Sequence, residues 1–197
     1  MNRSIKVAQQ VFLLLILTIA LTSCLRHTVK LDRTPSYPVG QKIPLHVELR
    51  LTESFRNSAY VLGLNRFSMG EGLSENAKLL AEALFERVSV STAEAMASTE
   101  AEAVLIPRLV EIMRTTRRES ETLLDVEWLL RDPAGEAIWI GTIRGESRGS
   151  FGNVYTFDKH LNENFDMASY ALFRETYERM SSSPEIRNYA NQLRKSK

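Results

Sequence analysis

The clearest pattern in the chain is an alternation of apolar and polar residues that begins at Ile43. Apolar side chains occupy every second position up to Leu51. The residues between them are mostly polar or charged, including His46, Glu48 and Arg50. Because successive side chains of a β-strand point to opposite faces, this spacing predicts a half-buried strand. A second short strand is predicted over residues 59–65.

Two further alternating runs predict a β-hairpin. The first covers Leu124 to Leu130 and the second covers Ala137 to Ile143. Between them stands Asp132-Pro133-Ala134-Gly135, in which proline at the second position and glycine at the fourth favour a type I turn. This hairpin is the strongest local prediction in the sequence.

The stretch AVLIPRLVEIM, residues 103–113, begins as a continuous apolar run. Such a run is typical of a central strand that is covered on both faces. Pro107 has no amide hydrogen for a sheet, so the sequence predicts a bulge or an edge position there.

Apolar residues at helical spacing predict two main helices. The first has Ser74 as its candidate N-cap and leads directly into a strand at Val88–Val90. The second has one apolar face and is broken or restarted at Pro184. The residues of these two faces are Ala77, Leu80, Ala81, Leu84 and Phe85, and then Phe165, Ala168, Leu172, Thr176 and Met180.

These elements together predict an α+β fold. We expect a two-layer sandwich in which a mixed or antiparallel sheet carries helices on one face. Residues 91–102 are rich in alanine and are predicted as a short helix or loop. Residues 145–160 are predicted as a long exposed loop, because they are polar and contain glycines.

The first 23 residues have the order of a secretory signal peptide. Arg3 and Lys6 precede an uncharged core from Val11 to Leu21, and small residues follow. The core of about eleven residues is shorter than the roughly twenty that a membrane-spanning helix needs. A cleaved signal therefore fits better than a retained span.

The segment Leu21-Thr22-Ser23-Cys24 resembles the lipobox of bacterial lipoproteins, and Cys24 is the only cysteine of the chain. The resemblance implies a diacylglyceryl cysteine at Cys24, cleavage before it, and a further acyl chain such as palmitate on the new amino terminus. A disulfide framework would need an even number of cysteines. The alternatives are a chance cysteine behind an ordinary signal and a free thiol in an uncleaved anchor.

This interpretation divides the chain into three parts. Residues 1–23 are the signal peptide, residues 24–41 are the acylated cysteine with a polar tether, and residues 42–197 are a periplasmic α+β domain. Fully extended, the tether would reach about 55 Å. In lipoproteins, aspartate behind the cysteine favours the inner membrane; Leu25 stands there, so we expect the outer membrane, with the protein facing the periplasm.

Beyond the lipobox, the chain resembles periplasmic lipoproteins related in fold to the amino-terminal domain of TolB. The resemblance covers roughly residues 43–181 and rests on LAEALFERVSV, AEAVLIPRLVEI and LDVEWLLRDPAGEAIWIGTIRGES. It extends to the auxiliary lipoproteins of ABC-transport and envelope-assembly systems. It implies an accessory role that involves no catalysis.

Charge and composition argue against nucleic acid as a partner. The formal net charge is +1, and a nucleic-acid-binding protein needs a basic stripe. The densest basic cluster, Arg114, Arg117 and Arg118, stands beside Glu119 and Glu121. We interpret it as a solvated turn between strands, with contact to anionic lipid as the alternative.

The sequence contains no catalytic or metal-binding signature, so we expect neither enzyme activity nor a cofactor. His27, His46 and His160 are scattered and do not have the spacing of zinc ligands. No G-x-S-x-G segment occurs, which leaves an envelope hydrolase as the least supported class. Asp125 and Glu127 share one strand face and are interpreted as solvated residues rather than as an acid–base pair.

The remaining candidates for function are surfaces that contact partners. Phe151, Tyr155 and Phe157 lie in the predicted loop, where exposed aromatic residues can serve as anchors for a protein partner or can fold back onto the core. The sequence therefore predicts a lipid-anchored accessory of an envelope assembly or transport complex. The alternative is a carrier that holds a lipid or other apolar ligand between sheet and helices.

Overall fold

A computed structural model of the chain describes residues 25–92, 100–115, 120–149 and 157–196. The strands in these ranges are β1 Leu25–Thr28, β2 Ile43–Arg50, β3 Ala59–Leu62, β4 Asn65–Ser68, β5 Phe85–Ser91, β6 Ala103–Thr115, β7 Ser120–Arg131 and β8 Ala137–Gly149. The helices are α1 Glu53–Arg56, α2 Gly70–Leu84, α3 Phe157–Ser182 and α4 Pro184–Ser196.

The strands form two mixed sheets. The large sheet has the order β5-β2-β6-β7-β8, in which β5 and β6 run parallel to β2 while β6, β7 and β8 are antiparallel. The small sheet has the order β1-β4-β3, with β1 parallel and β3 antiparallel to β4. The predicted α+β sandwich is confirmed, whereas the separate small sheet was not predicted.

The hydrophobic core lies between the helices and one face of the large sheet. The alternating apolar residues of β2 and β7 are buried there, and the ring of Trp128 meets Phe173 of α3 edge-on with 5.9 Å between the ring centres. Helix α3 packs directly on the backbone of β8, because a Cβ at Gly145 would lie 2.1 Å from the carbonyl oxygen of Ala168. Helix and sheet therefore touch without a gap at this position.

Helix α2 begins one turn earlier than the sequence predicts. The predicted N-cap Ser74 lies inside the helix, where its Oγ donates a hydrogen bond of 2.6 Å to the carbonyl oxygen of Gly70. The backbone of Gly70 comes so close to α1 that a Cβ would lie 1.9 Å from the Arg56 carbonyl oxygen. This packing against α1, which hydropathy does not reveal, positions the first turn.

The break between the last two helices is confirmed and has a clear cap. The Oγ of Ser183 accepts a hydrogen bond of 3.3 Å from the amide of Ile186, and Pro184 takes the first helical position. The Ser183 hydroxyl also donates to the Glu185 carboxylate at 2.6 Å and so lowers the pKa of that carboxyl group.

The hairpin of β7 and β8 is confirmed together with its turn, in which the amide of Gly135 donates to the Asp132 carbonyl oxygen at 3.1 Å. Strand β6 is central, as predicted. Strand β2 pairs only with Ala103–Leu105 of β6. Pro107 therefore pairs with β7 on one side but lies beyond the end of the β2 pairing on the other, which confirms the predicted edge position. The bulge itself lies between Leu109 and Glu111.

The predicted loop over residues 145–160 is wrong at both ends. Strand β8 continues to Gly149 and α3 begins at Phe157. Beyond Ile143, the buried positions of β8 are the small residues Gly145 and Ser147, which face α3, so the alternation continues there without large apolar side chains. Residues 150–156 lie outside the described part.

Candidate functional site

Strand β1 begins at Leu25, one residue behind Cys24. It pairs with β4 so that Leu25 lies opposite Asn65 and Thr28 lies opposite Ser68. The amide of Val29 continues the pairing with a bond of 2.8 Å to the carbonyl oxygen of Ser68. The chain therefore enters the folded body immediately after the predicted acylation position.

The residues behind β1 are also packed onto the body. Val29 and Leu31 are buried. The amide of Lys30 donates to Asn162 Oδ1 at 2.7 Å, and Asn162 Nδ2 donates back to the Lys30 carbonyl oxygen at 3.0 Å. The amide and Nε of Arg33 donate to the Asp166 carboxylate at 2.9 and 3.1 Å.

The predicted polar tether over residues 24–41 is therefore wrong for most of its length. The ring of Tyr37 packs at a tilt against Tyr177 with 4.9 Å between ring centres, and burial raises the pKa of the Tyr37 hydroxyl. The segment contains too few apolar residues to show a periodicity. Its partners lie more than 130 residues away in α3, and no local pattern reports such contacts.

We expect the double variant N162A/D166A to release this segment from α3. The variant removes side-chain hydrogen bonds to Lys30 and Arg33, each worth about 1 kcal/mol. Because four such hydrogen bonds are lost, together worth about 4 kcal/mol, cleavage by trypsin after these two residues should become up to about a thousandfold faster. Glu163→Ala, on the same helix, is the control and should leave the cleavage rate unchanged. Equal rates for wild type and double variant would contradict the described docking.

A cleft of about 770 Å³ lies beside β1. It is bordered by the small sheet, the segment behind β1, the end of α1 and the start of α2. Its charged lining residues are Arg26, Lys30, Asp32, Arg56, Arg66, Glu71 and Glu75. Because both signs of charge line it, the cleft suits a polar surface better than an apolar ligand.

The hairpin of β3 and β4 has an apolar tip. Gly63 has a φ of 59° at the first central position of the two-residue turn, as a type II′ turn requires. The side chains around it are exposed, with relative exposures of 59% for Val61, 39% for Leu62 and 69% for Leu64. At the other end of the hairpin, Phe67 is buried and Tyr60 packs against Phe165 at 5.5 Å.

The face of the large sheet that points away from the core carries ion pairs, and we call it the outer face. Arg144 donates to both oxygens of Asp125 at 2.8 and 2.6 Å, which raises the pKa of the arginine. Arg108 contacts Glu127 at 2.9 Å. The two carboxylates thus accept hydrogen bonds from arginines, and this pairing differs from an acid–base site. Ile140 is exposed on the same face.

Most of the predicted site residues lie outside the part of the chain that the structure describes. Cys24, Phe151 and Tyr155 lie outside the described residues. Phe157 is the first residue of α3, which places its backbone in a helix rather than in a loop; its side chain is not described.

Of the predicted basic turn, only Arg114 is described. It is half-buried, and burial lowers the pKa of its guanidinium group. This differs from the solvated position that the sequence predicts. Arg117 and Arg118 lie outside the described residues.

The histidines are engaged separately. His27 stacks on Phe67 at 4.9 Å, the Nδ1 of His46 lies 3.0 Å from the Glu100 carbonyl oxygen, and His160 lies 3.4 Å from Glu163. Within the described ranges, no cluster of three or more histidine, cysteine or acidic residues could hold a metal ion. In the same ranges, no helix has the length and hydropathy needed to cross a membrane.

The space between sheet and helices, where the sequence analysis places a carried ligand, is filled by the protein itself at the described positions. Trp128, Phe165 and Phe173 are fully buried there. Gly145 and Gly149 bring β8 against α3. The carrier hypothesis therefore has no supporting feature at this interface.

Comparison with known proteins gives a likeness of fold only. No family model matches the chain, and no curated protein matches it. A Xanthomonas campestris protein of the DUF330 family has a TM-score of 0.54 and 7% sequence identity, covering 87% of this chain and 99% of that chain. This match shows a shared fold.

Two weaker structural matches are named as lipoproteins. Lipoprotein B from Nitrosomonas europaea has a TM-score of 0.43 and 13% identity, covering 80% of this chain and 92% of its own. A minor lipoprotein from Acinetobacter baumannii has a TM-score of 0.43 and 10% identity, covering 72% and 94%. The resemblance to the amino-terminal domain of TolB stays a prediction.

Proposed function

We propose that this protein is a lipid-anchored lipoprotein of the bacterial outer membrane that faces the periplasm. In this proposal it acts, without catalysing a reaction, as an accessory of an envelope assembly or transport complex. Cys24 carries the lipid, and the folded body provides surfaces for a protein partner.

The observation that carries the proposal is the start of β1 at Leu25. One peptide unit, which spans about 3.8 Å between Cα atoms, joins Cys24 to a strand of the small sheet. A body attached in this way stays at the membrane surface, whereas a free tether would reach about 55 Å. Its partners are therefore expected at the same membrane.

The contacts made by the acidic and histidine side chains support a role without catalysis. The carboxylates of Asp125 and Glu127 are engaged by arginines. His27 and His46 are held by a ring and by a carbonyl oxygen. These contacts are typical of structural residues, because a general base needs access to a substrate proton.

The outer face of the large sheet is the surface that we assign to the partner. It combines arginine–carboxylate pairs with the exposed side chain of Ile140, and this mixture of charged and apolar groups is usual at transient interfaces. Phe151, Tyr155 and Phe157 follow this sheet in the chain and stay predicted contact residues.

The test is affinity purification of the mature protein from crosslinked envelopes, with a Cys24→Ala form that lacks residues 1–23 as the unanchored control. We expect wild type to recover a stoichiometric protein complex, and the control to recover little of it. Mass spectrometry of the mature amino terminus should show the acylated cysteine. Recovery of bound lipid without any protein would contradict the accessory role and favour the carrier.

A second pair of variants tests the assigned surface. Ile140→Glu places a charge on the outer face and should reduce recovery of the partner about tenfold, as loss of an apolar contact worth about 1.4 kcal/mol would do. Val39→Glu changes a still more exposed residue, next to Pro38 whose carbonyl oxygen accepts from Tyr177 of α3, and should have no effect. Equal recovery with both variants would move the partner surface elsewhere.

A further inference from the structure

We infer that the tip of the β3–β4 hairpin, residues 61–64, inserts into the bilayer surface beside the acyl chains of Cys24. The hairpin would then form a second, non-covalent contact with the membrane and fix the orientation of the body. This inference rests on the proposed function, because it takes Cys24 as the site of the lipid.

The first observation is the exposure of the tip. Val61, Leu62 and Leu64 flank Gly63 with relative exposures of 59%, 39% and 69%. Single exposed apolar residues are normal on a soluble protein, whereas a contiguous group indicates a surface that is covered in use. The membrane interface offers the apolar environment that these side chains lack in water.

The second observation is the register of the small sheet. Leu25 at the start of β1 lies opposite Asn65, and Asn65 lies opposite Leu62 at the end of β3. Neighbouring strands are about 4.8 Å apart. Cys24 precedes Leu25 by one Cα–Cα step of about 3.8 Å. The tip and the predicted lipid attachment are therefore at the same end of the sheet, within about two strand spacings.

The hairpin is also held so that its tip stays exposed. Phe67 is buried at the base of the hairpin, and Tyr60 contacts Phe165 of α3. The left-handed φ of Gly63 keeps the turn tight. The leucines therefore have a fixed position from which to meet the bilayer.

Two arginines beside the tip can contact the phosphate groups of lipids, while the acidic residues of the neighbouring cleft are Asp32, Glu71 and Glu75. Arg26 and Arg66 are exposed and lie opposite each other on β1 and β4. Long basic side chains can keep their charge among lipid headgroups while an adjacent apolar residue enters the membrane. The apolar tip and the adjacent arginines together therefore fit a bilayer surface.

The test uses Leu64→Cys in the acylated full-length protein. Once lipid occupies the thiol of Cys24, the introduced thiol is the only reactive one, because the native chain has a single cysteine. The thiol is labelled with the fluorophore NBD, and the protein is reconstituted into vesicles of phosphatidylethanolamine and phosphatidylglycerol. Ile140→Cys, labelled in the same way on the outer face, is the matched control.

We expect the label at position 64 to show blue-shifted emission and quenching by lipids that carry a nitroxide on the acyl chain. The label at position 140 should show neither effect. If the protein is acylated and retained on vesicles but the label at position 64 remains in water, the hairpin inference is overturned while the lipid anchor stands. An amino terminus without acyl groups would overturn both proposals.

A partition experiment measures the contribution of the hairpin alone. In an unanchored Cys24→Ala form without residues 1–23, L62S/L64S should lower the partition coefficient onto the same vesicles about tenfold, because two leucines no longer leave water. Both forms should unfold at the same temperature, since the altered side chains are exposed. An unchanged partition coefficient would argue against insertion.

Discussion

Glu48→Ala is expected to lower the free energy of unfolding by about 3–5 kcal/mol, because it leaves a buried arginine without the carboxylate that it contacts. Nε and Nη2 of Arg50 lie 3.1 and 2.9 Å from Glu48 Oε1, and Ser91 Oγ donates to the same oxygen at 2.7 Å. The side chains of Glu48 and Arg50 are only 4% and 8% exposed. Both lie on the outer face of β2, opposite the apolar core.

Chemical denaturation monitored by circular dichroism measures this effect. The control is Glu127→Ala, which breaks the solvent-exposed pair with Arg108 and should cost less than about 1 kcal/mol. The double variant E48L/R50L should recover most of the loss, because it removes both charges from the protein interior. A cost below 1 kcal/mol for Glu48→Ala would show that the pair is open to water in solution.

Gly145→Ala is expected to cost about 3 kcal/mol, the upper part of the range for overpacking a protein core. The new Cβ would lie 2.1 Å from the carbonyl oxygen of Ala168, 2.6 Å from Leu172 Cβ and 2.9 Å from the Leu172 amide nitrogen. These are largely backbone atoms of α3, so the strain cannot be relieved by rotating a side chain. The helix must move away from β8.

Glu146→Ala provides the control for this prediction. It changes the next residue of β8, which is exposed, and should alter stability by no more than about 0.5 kcal/mol. Thermal and urea unfolding of the two variants are compared with wild type. A stable Gly145→Ala protein with unchanged unfolding would mean that α3 is not in direct contact with this strand.

The elements that could be predicted from the sequence are those with a local signal. Strand β2 and the β7–β8 hairpin have strict alternation of apolar residues, and the hairpin also has its turn residues. The long helix before Pro184 has an apolar face that is buried as expected. In each case the pattern arises because residues one structural period apart, every second residue in a strand and every third or fourth in a helix, face the same core.

The small sheet could not be predicted in the same way. Strand β1 has four residues, and its partner β4 begins forty residues later at Asn65. A strand this short has no detectable periodicity, and parallel pairing depends on contacts between distant residues. The prediction of a tether was wrong for the same reason, because the segment is bound by Asn162 and Asp166 of the distant helix α3.

Only one part of the proposed membrane contact could be predicted from the sequence. Cys24 could be singled out because the signal peptide and the lipobox are contiguous stretches. Leu62 and Leu64 show nothing unusual in the sequence, since apolar residues beside a glycine are equally typical of a buried hairpin. Their exposure and their position beside Leu25 follow from the sheet register.

The sequence by itself predicted lipid attachment at Cys24, and it determined strand β2, the β7–β8 hairpin, the apolar face of the long helix and the α+β class, because each depends on the order of residues within one segment. The tertiary structure decided that β1 joins the small sheet, that the segment behind it is docked on α3, and that the apolar hairpin tip lies at the same end as the predicted anchor. These features depend on pairing between segments that are far apart in the chain. Such pairing is selected by the packing of the whole protein and leaves no pattern in any one stretch.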